Sequence, residues 1–260
     1  MTAQLKSHSV GQTLVLTLSN PEYRNALGPE IYTAGIEALN AAESNNDVRS
    51  VVLTGEGTNF SAGGNLNRLM HNRSLPPEHQ AQSIDGLHGW LETLTTFPKP
   101  VLAAVEGAAA GAGFSLALAC DFLVAAGNSV FVMAYSSVAL SPDGGGSWQL
   151  ARTLPRSLVN QWLMLGEKIT ADTLFSHGLI NEITEPGQAL AGALTLAERL
   201  NQRAPNTLAS IKELVNAAPA QNLFTHMQLE KQHFVKNLHH PNAGIGIQAF
   251  LDKQTPYYKP

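Results

Sequence analysis

The chain has one cysteine, Cys120, among its 260 residues, which excludes an intramolecular disulfide and a cysteine-rich metal site. Cys120 closes the apolar run Leu116-Ala-Leu-Ala-Cys120, where a small buried hydrophobe is the expected role. A cationic surplus is lacking too. Sixteen Lys and Arg stand against twenty Asp and Glu, a formal charge of −4, so no whole-chain field recruits nucleic acid or anionic lipid. The first ten residues hold no apolar core and no small-residue cleavage pattern; no secretory signal or transit peptide is expected, and the expected location is the cytoplasm. No clean membrane span is present. Residues 101–120 come nearest, but Glu106 interrupts them and Gly107, Gly111 and Gly113 lower their helical propensity. There is no linker rich in Gly, Ser or Pro, no low-complexity tract, and no repeat with a period of about 20 to 50 residues. His71, His79 and His88 fall at no ligand spacing, so no metal is expected.

A hydrophobic content of 44% over this length is ample for one large domain, or for a core with a smaller appendage. Periodicity places strands at 14–18, 51–54, 101–105, 122–125 and 130–133, and helices at 30–43, 89–97, 157–165 and 171–175. The prolines Pro98 and Pro100 stop the second helix. The expected architecture is α/β: residues 1–190 form a core of short ββα-like units, and residues 191–260 a helical C-terminal region packed on the core or on a neighbouring subunit. The polar stretch 68–83 reads as a mobile loop near a substrate entrance.

Two strand-to-helix loops are rich in glycine: Gly55-Glu-Gly57 with Phe60-Ser-Ala-Gly63-Gly64, and Gly107-Ala-Ala-Ala-Gly111-Ala-Gly113. Neither completes a nucleotide fingerprint, because no Lys followed by Ser or Thr opens the helix and Leu116 stands where a third glycine is needed. Such loops can do two things. They permit tight turns and close helix packing, or they leave backbone N–H groups unobstructed, and two of these converging on one oxygen make an oxyanion hole.

Several further motifs occur in a fixed order. They are Asn20-Pro-x-x-Arg24-Asn25-Ala26-Leu27, Phe60-Ser-Ala-Gly63-Gly64-Asn65-Leu66, Pro98-Lys-Pro100-Val-x-Ala-Ala-Val-x-Gly107, Ala119-Cys120-Asp121, Gly166-Glu-Lys-Ile-Thr-Ala171 and Phe250-Leu-x-Lys253. This series, spanning essentially the whole chain, resembles the crotonase (enoyl-CoA hydratase/isomerase) superfamily. The resemblance implies a spiral of ββα units with a helical C-terminal trimerisation region, assembled as a homotrimer or a dimer of trimers. It implies a coenzyme A thioester as substrate, with no separate cofactor. It places the oxyanion donors at Gly64 and Ala112, and substrate contacts at Ala26, Ala62, Asn65, Leu66, Gly111 and Pro142. Arg24 is set at a position that approaches coenzyme A phosphates, and Lys253 at one that reaches the ligand. Either basic residue could instead be a solvated surface charge, Lys253 more so than Arg24.

Hydratases of the family carry two glutamates, at positions held here by Ser115 and Tyr135. Water addition needs one group to activate water and another to deliver a proton, so losing both argues against ordinary hydration; Ser115 and Tyr135 are expected only to line the acyl pocket. Asp143, in Pro142-Asp143-Gly-Gly-Gly-Ser-Trp148, resembles the acid of the isomerase branch, which includes the ring-epoxide isomerase of phenylacetyl-CoA degradation. Taken alone, an Asp there is a turn former or helix N-cap; within the resemblance it is the proton shuttle. Enoyl-CoA hydration, and a catalytically silent fold binding coenzyme A or RNA, are the alternatives. Asp121, at a helix end, is expected to cap the helix or fix backbone, and Glu106 to be a satisfied buried acid.

Overall fold

The structure, a computed structural model, describes residues 3–259. In chain order its elements are β1 (Gln4–Val10), β2 (Thr13–Ser19), α1 (Pro29–Glu43), β3 (Ser50–Gly55), α2 (Leu66–Asn72), α3 (Pro77–Thr96), β4 (Val101–Val105), β5 (Ala108–Ala110), α4 (Ala112–Leu118), β6 (Phe122–Ala126), β7 (Val130–Val132), α5 (Gly146–Thr153), α6 (Arg156–Leu165), β8 (Lys168–Thr170), α7 (Ala171–Ser176), β9 (Glu182–Thr184), α8 (Ala189–Asn201), α9 (Pro205–Ala217), α10 (Leu223–Leu238) and α11 (Pro241–Leu251). The six-stranded sheet runs β1-β2-β3-β4-β6-β9, antiparallel at β1–β2 and parallel at every later pair. A smaller sheet, β5-β7-β8, carries the second glycine loop.

The central strands are apolar on both faces because both faces are covered. Leu16, Leu18, Val51, Leu53, Val101, Ala103 and Val105 point into the main core with α1, α3 and α4. The alternate positions Val15, Val52, Leu102, Ala104 and Val124 pack on Ala189, Ala193 and Ala197 of α8. The boundary expected at residue 190 therefore cuts α8, which belongs to the sheet's second face.

Two expectations are corrected. The stretch 68–83 is mostly helical, divided between α2 and the first turns of α3. Asn65 caps α2, its side chain accepting from Asn67 N and Arg68 N, and Pro77 opens α3 at a position where its missing N–H costs nothing. Strand β5 also lies inside the second glycine-rich segment, Gly107 to Gly113, which the sequence alone presents as a loop.

Asp121 holds backbone as expected, and Glu106, only partly buried, does so too. Asp121 Oδ2 accepts from Val101 N at 2.8 Å and from Lys212 Nζ at 2.9 Å, tying α9 to the start of β4. The Glu106 carboxylate accepts from Gly187 N at 3.1 Å and Ala189 N at 2.8 Å, which fixes the entry to α8. Burial pushes the Cys120 thiol well above its ordinary range, so it stays protonated and is no nucleophile.

Candidate active site

The two glycine loops lie side by side. Ser61 and Ala109 form a parallel bridge, with Ser61 N donating to Ala108 O at 3.0 Å and Ala110 N to Ser61 O at 2.9 Å. The first loop is riveted from below by Asn25, which is fully buried. Its Nδ2 donates to Glu56 O at 2.9 Å and Asn59 O at 2.7 Å, and its own carbonyl accepts from Ser61 Oγ at 2.8 Å. Gly63 N then donates to Ser61 Oγ at 3.1 Å. Leu27 N closes on Gly63 O at 2.7 Å and Ala62 N on Arg24 O at 2.8 Å.

These bonds use the N–H groups around Gly64 and omit Gly64 itself. Among the described residues, neither Gly64 N nor Ala112 N has a backbone acceptor. Ala112 is the first residue of α4, where helical geometry leaves the N–H without a partner. Gly111 before it takes φ 51°, ψ −124°, a region open to glycine alone, and this kink turns the chain from β5 into α4. The loops approach so closely that a Cβ on Gly63 would stand 3.1 Å from Ala112 N.

Gly64 and Ala112 both line a cavity of about 530 Å³. Leu66 and Leu69 of α2, Ile84 of α3, and Val138, Leu140 and Pro142 supply its larger apolar side chains. Asp143 is the sole carboxylate lining this cavity among the described residues, and Gln80, His88, Tyr135 and Ser141 are the remaining polar side chains. Asp143 does not cap a helix: Gly145 is the N-cap of α5, with no side-chain cap bond. Its Oδ1 instead accepts from Tyr135 Oη at 2.6 Å. Burial, reinforced by the Asp143 charge, raises the Tyr135 phenol far above its ordinary value. Tyr32 of α1, raised by burial and opposed by Arg68 of α2, also feels the Asp143 charge.

The cavity thus gathers Gly64, Ala112, Asp143, Ala62, Leu66, Gly111, Tyr135 and Pro142. Five other expected substrate residues do not line it. Ser115 is fully buried beneath it. Asn65 serves as the α2 cap, and Ala26 is buried with its carbonyl accepting from Asn20 Nδ2 at 3.1 Å. Arg24 and Lys253 are exposed, each in the left-handed region at φ 50° and 56° respectively. Leu69, Gln80, Ile84 and His88 were not assigned individually to the site from sequence, although Leu69 and Gln80 fall in the stretch 68–83 expected near a substrate entrance; the Asn25–Ser61 rivet was not foreseen, its only signal being its place in two family motifs. No group of three or more potential metal ligands occurs among the described residues, and no helix among them is long and apolar enough to cross a membrane.

Two residues whose N–H groups lack backbone acceptors, lining one apolar cavity with a single acid, suit the stabilisation of an oxyanion next to a moving proton. The family model for enoyl-CoA hydratase/isomerase matches residues 9–260, and the chain belongs to that family, the crotonase superfamily. It is 32% identical to the 1,2-epoxyphenylacetyl-CoA isomerase of Escherichia coli (strain K12) over 97% of both chains. It is 31% identical to the 2,3-dehydroadipyl-CoA hydratase of the same organism over 95% of both. Among solved structures it is similar to an enoyl-CoA hydratase from Polaromonas sp. JS666, with a TM-score of 0.97 and 65% identity, covering 98% of this chain and 99% of that one.

Proposed function

We propose that this chain isomerises enoyl-CoA thioesters, moving a C=C bond or rearranging an epoxide ring, with Asp143 as the proton shuttle. The observation that carries the reading is the single carboxylate in the cavity. The thioester oxygen sits between Gly64 N and Ala112 N. The Asp143 carboxylate takes a proton from the carbon between the thioester and the double bond, and the electron pair flows into the carbonyl oxygen as a dienolate. Each backbone donor stabilises that oxyanion by about 3 kcal/mol. The same carboxyl then returns the proton to the far carbon, so one acid completes the cycle with no net change in atoms and no redox partner. Coenzyme A arrives as part of the substrate, with Arg24 near its phosphates.

Hydration is the second reading, favoured by the similarity to two proteins described as hydratases. It requires a second proton-transfer group, and the positions for it hold Ser115 and Tyr135.

Wild type and Asp143→Asn, both checked for folding, should be incubated with 3-enoyl-CoA, 2-enoyl-CoA and the epoxide of phenylacetyl-CoA. Bond migration or ring expansion is expected in wild type, with kcat lowered roughly 10² to 10⁴-fold in Asp143→Asn. Water addition indifferent to Asp143 sinks the isomerase reading, and inactivity on all three favours a binder without catalysis.

A further inference from the structure

The two positions that carry hydratase carboxylates in the family are not idle linings. Both bond the same residue: Tyr135 Oη donates to Asp143 Oδ1 at 2.6 Å, and Ser115 Oγ donates to the Asp143 backbone carbonyl at 3.1 Å. They approach from different elements, Ser115 from the buried face of α4 and Tyr135 from the 3-10 turn Ala134–Val138.

We propose that Ser115 and Tyr135 form a two-point clamp on Asp143, positioning residues that turn a two-carboxylate layout into a one-acid site. Ser115 fixes the backbone of the acid and Tyr135 fixes its carboxylate. Oδ1 is thereby occupied, and no hydrogen bond among the described residues engages Oδ2, which becomes the oxygen that carries the proton. The inference rests on Asp143 being the proton shuttle.

Sterics support the clamp independently. A Cβ on Gly144 would lie 3.2 Å from Ser115 Cβ, and one on Gly146 would lie 2.5 Å from Ser115 Oγ. The glycine turn is therefore moulded around a serine-sized side chain, and a glutamate at 115 has no room unless the turn carrying Asp143 moves. The serine and the glycines form one packing unit. Tyr135, for its part, is kept protonated by burial and by the charge it faces, so it donates throughout the working range and is not itself the base.

Tyr135→Phe removes the hydrogen bond that orients the Asp143 carboxylate, so kcat for 3-enoyl-CoA isomerisation should fall roughly tenfold with KM nearly unchanged. Ser115→Ala releases the Asp143 carbonyl, together with the longer bond from the serine to Gly111 O at 3.4 Å; kcat should fall several-fold, again with KM nearly unchanged.

A second readout does not depend on turnover. The Tyr135 hydroxyl proton should give a downfield proton resonance in the folded protein, lost in Tyr135→Phe and displaced in Asp143→Asn. If wild type fails to isomerise yet shows this resonance with those two responses, the clamp geometry stands and the isomerase reading falls. If wild type isomerises and Tyr135→Phe leaves kcat unchanged, the clamp is overturned and the isomerase reading survives. Absence of the resonance in folded wild type also overturns the clamp.

Discussion

Adjacent glycines in the first loop have different jobs. Gly63 takes φ +79°, and a Cβ there would lie 2.4 Å from Ala110 O and 3.1 Å from Ala112 N. An L side chain is strained in that backbone conformation by roughly 1 to 3 kcal/mol, and this one would also wedge the two loops apart. Gly64 has no positive φ, and its Cβ would meet only Leu69 Cδ1 at 3.7 Å, an ordinary contact. Gly63→Ala should therefore lower kcat/KM for the isomerisation by about 10²-fold or more, the scale of losing one oxyanion donor. Gly64→Ala should stay within about tenfold, since the donor there is the backbone N–H. Steady-state kinetics on the two variants, with thermal unfolding as the folding control, decides this. Equal losses would mean that the separation of the loops does not set the oxyanion geometry.

At the scale of elements, α8 meets the sheet through Ala189, Ala193 and Ala197, all fully buried at four-residue spacing over Val15, Val52, Leu102, Ala104 and Val124. The stripe is small because β-branched and leucine side chains already fill the sheet's outer face. Ala193→Leu overpacks this seam and should cost about 1 to 3 kcal/mol, with Tm lower by roughly 2 to 4 °C for each kcal/mol. The cavity lies on the sheet's other side, so the substitution should leave KM intact; an unchanged Tm would show that α8 lifts freely off the sheet.

The same contrast between faces explains what the sequence disclosed. The central strands β3 and β4 were legible as apolar runs because both of their faces are covered. Strand β1 was not. It is an edge strand whose residues are nearly all exposed, so burial imposes no alternation on it. The first half of α3 was read as loop because its polar side chains face water and its buried residues, Leu87, Trp90, Leu91 and Leu94, all fall in the second half. At the site, the ordered motifs pointed to Gly64, Ala112 and Asp143, which the structure places on one cavity. The Tyr135–Asp143 bond was not, because the turn joining the two residues obeys no period that a pattern of residue types reveals.

Viewed as a whole molecule, the C-terminal helices are unfinished. Leu223, Met227, Phe234 and Leu238 recur along α10 at helical spacing and all are exposed, an apolar stripe that faces away from the chain's own core. Phe224 is 78% exposed and Phe250 on α11 is 84% exposed. What α10 buries among its own residues is His233 alone. A large apolar face left in water marks an interaction surface, and the occupant that the family resemblance implies is a second copy of this chain, in a trimer or a dimer of trimers. Sedimentation equilibrium should then give three or six times the 27.7 kDa of one chain. Burying one phenylalanine contributes about 1.5 to 3 kcal/mol, and a charge in its place adds a desolvation cost. Phe224→Glu combined with Phe250→Glu should thus shift the mass toward the monomer while the far-ultraviolet circular dichroism stays that of the folded chain, because neither side chain supports its own core. A wild-type monomer at micromolar concentration would remove the second copy as the occupant of this face. A double variant still assembled at the wild-type mass would place the subunit contacts on other elements.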